Sequence, residues 1–331
     1  MKILLIRFSS IGDIVLTTPV IRCIKRQMDD DVELHMLHML IKDKFASLSH
    51  NNPYVDKTFE YSNSLREVIK ELKKEEYDYI VDLQKNNRSR RVCCALGCEH
   101  HSFHKLDFKK MLLTTFKIDK LPKVHIVDRY FEAVEPLEVK NDGRGLEFYI
   151  SETNMMQEPD IPEEFRNGFY AIAVGGSYNT KVIPPEKIIE VIEKLDEPVI
   201  LLGGPGDMKN AKIIADAVGE NVWNPVGMLN LEQSASIIKM AKAVLTGDTG
   251  MMHIAAAFNK PMVSVWGNTI PEFGMYQYYP QGSTNKLNIL EKKDLKCRPC
   301  SKLGYKKCPK KHFKCMMNIN TDEIVSLLKV D

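Results

Sequence analysis

Val244 Leu245 Thr246 Gly247 Asp248 Thr249 Gly250 Met251 Met252 His253 Ile254 Ala255 Ala256 Ala257 is an apolar run that meets two glycines and continues as an alanine-rich amphipathic stretch. It reads as a buried strand turning sharply into a helix. The first N–H groups of a helix have no partner inside it, and the helix dipole adds partial positive charge there, so such a turn attracts anions. Gly247 and Gly250 give the backbone freedom to make the turn. The alternative is a well-capped helix with no ligand, with Asp248 or Thr249 as the cap.

The same alternation runs outward in both directions. Apolar segments of strand length occur at Ile3 to Ile6, Val32 to Leu37, Tyr79 to Leu83, Tyr170 to Val174, Val199 to Leu202, Ala243 to Thr246 and Met262 to Trp266. Helical patterns fall at Ile11 to Met28, Leu65 to Glu75, Pro185 to Leu195, Met208 to Val218, Leu231 to Ala241 and Met251 to Phe258. Strands that are apolar throughout, separated by helices, predict parallel sheets covered on both faces. The 331 residues suffice for two such domains. The polar, proline-bearing Glu158 Pro159 Asp160 Ile161 Pro162 within 151–167 predicts the linker, giving domains of 1–155 and 156–318, with a terminal helix in 319–331 begun by Thr321. Two doubly wound α/β halves imply a cleft, lined by loops at the carboxyl ends of the strands.

The net charge of +2 gives no global field for nucleic acid, so an anionic partner must be met locally. Met1 to Ile6 fits a first strand better than a secretion signal, because its apolar run stops at Arg7 and Asp13 follows without a cleavage site. No apolar run approaches the roughly 20 residues that cross a bilayer, which leaves work at a membrane surface open. Eight cysteines without an export signal predict reduced thiols and a cytoplasmic setting.

Four loops carry candidate chemistry. In Arg7 Phe8 Ser9 Ser10 Ile11 Gly12 Asp13, the carboxylate of Asp13 lies in the first helical turn, where it either caps the helix or accepts a proton from a substrate hydroxyl. Gly175 Gly176 Ser177 Tyr178 Asn179 Thr180 Lys181 combines glycines, two hydroxyls and a mobile cation ahead of a proline-started helix, a setting suited to a pyrophosphate. Gly203 Gly204 Pro205 Gly206 Asp207 lacks the spacing of a dinucleotide fingerprint, which argues against nicotinamide chemistry. Asp207 caps its helix or takes ribose hydroxyls. Asp82 Leu83 Gln84 Lys85 Asn86 Asn87 Arg88 Ser89 Arg90 Arg91 gathers amide and guanidinium donors for a polyhydroxylated or anionic ligand, extended by His100, His101, His104 and Lys105. A solvated basic helix face explains Arg90 and Arg91 equally well.

In order and position these loops resemble the heptosyltransferases of bacterial lipopolysaccharide synthesis, glycosyltransferase family 9. The resemblance spans nearly the whole chain. Its carriers are Arg7 to Asp13, Asp82 to Gln84 with Arg88 and Ser89, Lys181, Asp248 to Gly250 with His253, Ala255 and Ala256, and Trp266 to Thr269 with Pro271. It implies two facing Rossmann-like domains of GT-B type and inverting transfer of heptose from ADP-heptose to the lipopolysaccharide core. No cofactor or metal is implied, and peripheral contact with the inner membrane is. By position, Asp13 becomes the general base and Lys181 the stabiliser of the leaving diphosphate. Ser177, Thr180, Gly204, Asp207, Asp248, Thr249, Gly250, Met251 and His253 bind the donor, and Ser10, Gly12, Gln84, Lys85 and Arg88 the acceptor.

Three other readings compete: transfer of another nucleotide sugar to a different surface glycan, a nucleotide-sugar epimerase, and a non-catalytic nucleotide-sugar-binding protein. Cys297 and Cys300 stand at zinc-ligand spacing with Cys308 and Cys315 nearby, so a structural zinc competes with simple free thiols in the cysteine-rich loop 297–315.

Overall fold

The uninterrupted apolar runs are strands buried at nearly every position, as expected where both faces of a sheet are covered. The structure, a computed structural model, describes residues 1–29 and 34–329. One sheet contains β1 (Lys2–Ile6), β2 (Met36–Lys42), β3 (Lys57–Tyr61), β4 (Tyr79–Asp82) and β5 (Glu99–Ser102), in the order β3-β2-β1-β4-β5. The other contains β6 (Tyr170–Ala173), β7 (Val199–Leu202), β8 (Val222–Trp223), β9 (Val244–Gly247), β10 (Met262–Trp266) and β11 (Asn288–Glu291), in the order β11-β10-β9-β6-β7-β8. All pairings are parallel.

Each strand order reverses once. In the first sheet the reversal separates β1 from β4, with Ile6 beside Asp82; in the second it separates β6 from β9, with Ile172 beside Leu245. Connections leave such a pair toward opposite faces, which opens a crevice at the carboxyl ends of its strands. The topology therefore selects four loops: those after β1 and β4, and those after β6 and β9.

The chain divides into two compact units, Met1–Leu106 with Val124–Tyr149, and Asp107–Lys123 with Ile150 onward. The boundary falls a few residues before the expected one, and the segment assigned to the linker packs as part of the second unit. Ile161 and Phe165 are buried there, and Glu232 accepts hydrogen bonds from the Ser151 amide (2.8 Å) and hydroxyl (2.6 Å). The terminal helix Thr321–Leu328 is not a separate element either, since Ile324 and Leu328 enter the same core as Ile172, Leu201 and Leu245. Residues 107–123, read from sequence as part of the first domain, are an excursion that joins the second. Each fully buried aliphatic side chain in these cores stabilises the fold by about 1.5–3 kcal/mol.

The helix expected over Ile11–Met28 is two helices, Ile11–Val15 and Thr18–Met28, because Pro19 starts a new helix. The strand expected from Val32 begins at Met36; Val32 itself lies outside the described residues. Edge strands β3, β5 and β11 carry Lys57, Glu60, Glu99, His100 and Asn288, and such polar composition hides a strand from a search for apolar runs. Among the described residues no helix is long and apolar enough to cross a membrane.

Arg22 is fully buried, and it ties its helix to the returning segment through Asp142 (2.7 Å) and Glu147 (3.1 Å). Arg22→Met leaves two carboxylates facing one another without their cation. Urea unfolding is expected to show a loss of about 2–3 kcal/mol, with the first unit most affected.

Candidate functional site

In the second unit β9 ends at Gly247, and the helix Gly250–Ala257 begins after Thr249, whose side chain makes no capping hydrogen bond. The Thr249 hydroxyl instead pairs with that of Thr246 at 3.2 Å. Asp248 does not cap the helix either. Its buried Oδ2 accepts from the Thr269 hydroxyl at 2.7 Å and lies 2.6 Å from Lys181 Nζ. Both capping candidates are thus engaged elsewhere, and the helix begins with main-chain N–H groups that no side chain among the described residues caps.

Three glycines let neighbouring loops close on this point. A methyl group on Gly247 would run into the carbonyl oxygen of Lys181, so glycine there allows the tight turn Asn179–Lys181 to lie across the end of β9. On Gly176 it would approach Thr249 Cγ2 to 3.2 Å, and on Gly175 it would overlap the Asp207 carboxylate. Asp207 in turn accepts the Gly204 amide at 2.9 Å, so it braces its own loop while lying against the loop after β6. The structure therefore brings together Gly175, Gly176, Lys181, Gly204, Asp207, Asp248 and Thr249, with Gly250 and Met251 next in the helix.

Three residues from the same sequence reading sit differently. Thr180 is buried, and its hydroxyl accepts from the Tyr305 amide (2.8 Å) and donates to the Tyr305 carbonyl (3.1 Å). It anchors the cysteine-rich loop and is not available to a donor. His253 is buried on the helix, whereas Ser177 is exposed on its loop.

In the first unit Asp13 lies at the third position of the helix Ile11–Val15. It accepts from the Ser10 amide (3.0 Å) and hydroxyl (2.8 Å), and its other oxygen meets Arg7 at 2.5 Å. Burial of the Arg7 guanidinium opposes its charge, and nearby Asp13, Tyr130 and Asp82 outweigh burial, so its pKa is raised. Arg7 also donates to the carbonyls of Ser9 and Leu83, which links the loops after β1 and β4. Asp13 is thus both a helix brace and a carboxylate held by a buried cation, with about a quarter of its side chain exposed.

Several of the acceptor-side residues are internal braces. Gln84 accepts the Phe8 amide at 2.9 Å, Lys85 donates to the Phe103 carbonyl at 2.6 Å, and Asp82 accepts from the amides of Gln84 and Lys85 and from Ser89. Gly12 is buried; Ser10 and Arg88 are exposed. His101 stacks on Tyr79, and His104 pairs with Glu132 at 2.7 Å.

The thiols of Cys297, Cys300, Cys308 and Cys315 are free, and no group of three or more His, Cys, Asp or Glu side chains among the described residues is arranged to hold a metal ion. Cys300 donates to the Cys297 carbonyl, and Cys315 is in the core, so among the described residues the four thiols of the competing zinc alternative do not gather around one point. Burial pushes Cys315 up to about 11, and burial with the neighbouring Cys297 does the same for Cys300.

Arg298 escaped the sequence reading. Buried within the cysteine-rich loop, it donates to the carbonyls of Trp266 (3.1 Å), Gly267 and Thr269 (2.9 Å), and pairs with Glu291 (2.9 Å). It thereby fixes the loop that delivers the Thr269 hydroxyl to Asp248. An arginine between two cysteines carries no local pattern for contacts with carbonyls some thirty residues away. Asn268, on that same loop, is buried, and neither side-chain amide atom finds a hydrogen-bond partner among the described residues.

Fold and site define a protein of two doubly wound, Rossmann-like units whose second unit presents a cation and an uncapped helix start together. The chain belongs to glycosyltransferase family 9, the heptosyltransferases, whose profile matches residues 65–311. It is 24% identical to lipopolysaccharide heptosyltransferase 1 of Campylobacter coli, over 99% of this chain and 98% of the relative. ADP-heptose lipopolysaccharide heptosyltransferase II of E. coli superposes with a TM-score of 0.73 at 19% identity, covering 99% of this chain and 97% of that one. An E. coli heptosyltransferase with ADP-2-deoxy-2-fluoro heptose gives 0.68 at 19% identity, with 99% of both chains covered. The fold shared with these neighbours is the GT-B fold.

Gly247→Ala drives a methyl group into main chain, which the Lys181 turn relieves only by moving off β9. It is expected to cost about 1–3 kcal/mol in thermal unfolding. In native protein near neutral pH, Cys300 and Cys315 should react with a thiol reagent far more slowly than exposed Cys94, read by mass spectrometry of labelled peptides.

Proposed function

We propose that this chain transfers a heptose from ADP-heptose to the inner core of lipopolysaccharide, with inversion at the anomeric carbon. The observation that carries the reading is Lys181 Nζ held 2.6 Å from Asp248 beside a helix start that no side chain caps. A donor diphosphate brings two or more negative charges, enough to draw the ammonium from a single carboxylate, and the N–H groups at the helix start supply further donors. Asp207 and Gly204 lie alongside for the ribose. Whole-length similarity to a lipopolysaccharide heptosyltransferase favours heptose transfer over the epimerase and binding-protein readings.

In this reading Asp13 removes the proton from the acceptor hydroxyl as its oxygen attacks the anomeric carbon. The bond from that carbon to the diphosphate oxygen breaks with its electron pair leaving on the diphosphate, and attack opposite the leaving group inverts the centre. Arg7 fixes the position of the base, and Ser10 holds its other oxygen. Lys181 and the helix start meet the charge that develops on the leaving group, so the mechanism needs no metal. The lipid-anchored acceptor implies cytoplasmic work at the inner face of a membrane.

Asp13→Asn keeps the shape of the base and removes its proton affinity. Transfer from ADP-heptose to a core acceptor should fall by about 10²–10⁴-fold while ADP affinity stays within about twofold. Lys181→Ala should weaken ADP binding about tenfold or more. Near-normal turnover by the Asp13 variant removes it as the base; a donor preference for a UDP-sugar in calorimetry overturns the heptose assignment.

A further inference from the structure

The excursion 107–123 is fastened to the second unit by its polar groups. Lys302 meets Asp107 at 2.7 Å, Lys117 donates to the carbonyls of Pro299 (2.7 Å) and Cys297 (3.3 Å), and Leu113 packs with Ile270 and Phe273. Four of its other large apolar groups are exposed. Phe108 is 68% exposed, Phe116 62%, Ile118 48% and Met111 40%, four bulky side chains within eleven residues. Single exposed apolar residues are ordinary, but a cluster of this kind marks a contact surface.

Charge identifies what is contacted. The excursion and residues 292–314, to which it is bonded, contain fifteen lysines and arginines against three acids, in a chain whose net charge is only +2. The rest of the molecule is therefore net negative, and the net positive charge lies in these two bonded segments. Beside it lies a concavity of about 400 Å³ lined by Leu295, Lys296, Cys297, Lys310, His312 and Lys314. Three of the lining residues are lysines, whose ammonium groups suit a phosphate. Exposed aromatics among lysines match a bilayer interface, where rings enter the headgroup boundary and lysine stems extend toward phosphates. A second copy presenting the same face would bring like charges together, which argues against self-pairing.

We propose that this face docks the chain on an anionic phospholipid bilayer, with Phe108 and Phe116 inserting and the lysines of 292–314 meeting lipid phosphates. The inference deepens the transfer reading by naming the surface through which a lipid-anchored acceptor is approached. Vesicle binding is measured without donor or acceptor, so it fails or succeeds independently of catalysis.

The test is flotation of the full-length protein with vesicles of phosphatidylethanolamine and phosphatidylglycerol, against phosphatidylcholine alone. Wild type should bind the anionic vesicles at least about tenfold more tightly, and lose most of that binding as salt rises from about 0.1 M to about 0.5 M. The exposed double variant Phe108→Ser/Phe116→Ser, and separately Lys310→Glu/Lys314→Glu, should each weaken binding about tenfold while thermal unfolding and ADP affinity stay unchanged. Equal binding to both vesicle types, binding that survives both double variants, or self-association through this face with no vesicle binding overturns the proposal.

Discussion

The second unit depends on a competition at the end of β9. Asp248 is placed where it could cap the helix Gly250–Ala257, yet its carboxylate is held by Lys181 and Thr269. A capped helix would be the more stable arrangement locally, since a good N-cap is worth about 1 kcal/mol. Giving up that cap leaves main-chain donors ready for an anion and stores a cation within reach of them. Around this point the glycines at 175, 176 and 247 make sense together, because each is where a side chain would separate one of the loops from the others.

The arrangement follows from topology before it follows from any single residue. Lys181 and Asp248 are 67 positions apart in sequence, but the order β11-β10-β9-β6-β7-β8 makes β6 and β9 neighbours, so the loops that leave them must meet. The same logic in the first unit sets the loop after β1 beside the loop after β4, and Arg7 spans the two while holding Asp13. Each unit thus spends a buried ion pair at its switch point, where desolvated charges are costly unless they position something. The cysteine-rich loop is part of this support: Arg298 donates to the Thr269 carbonyl, and the Tyr305 main chain bonds the Thr180 hydroxyl and amide.

Much of this was legible in the sequence because fully buried parallel strands are apolar throughout and their glycine turns are conspicuous. Helices with ordinary starts, such as Pro185–Leu195 and Met208–Val218, have the expected bounds. Edge strands were not legible, since β5 reads Glu-His-His-Ser and nothing in that composition announces pairing. The excursion 107–123 was hidden for a different reason: its allegiance is set by contacts of Leu113 and Lys117 with residues far along the chain. At the site, Thr180 and Gln84 offered the right chemistry but are engaged by main chain; Arg298 gave no pattern at all, and Asn268 stood only within the stretch Trp266 to Thr269, with no role of its own. Residue type indicates which groups a loop can offer; only packing decides which of them are already used.

In the transfer mechanism we propose, the donor diphosphate binds at the uncapped start of the helix Gly250–Ala257, and Lys181 turns from Asp248 toward it. Amide NMR of the full-length protein titrated with ADP tests it most directly. The account predicts that the backbone N–H resonances at Gly250 and Met251 shift strongly downfield as hydrogen bonds to phosphate form, and that the Lys181 side-chain signal moves at the same ADP concentration. Saturable ADP binding that leaves the Gly250 and Met251 amides unmoved would contradict it.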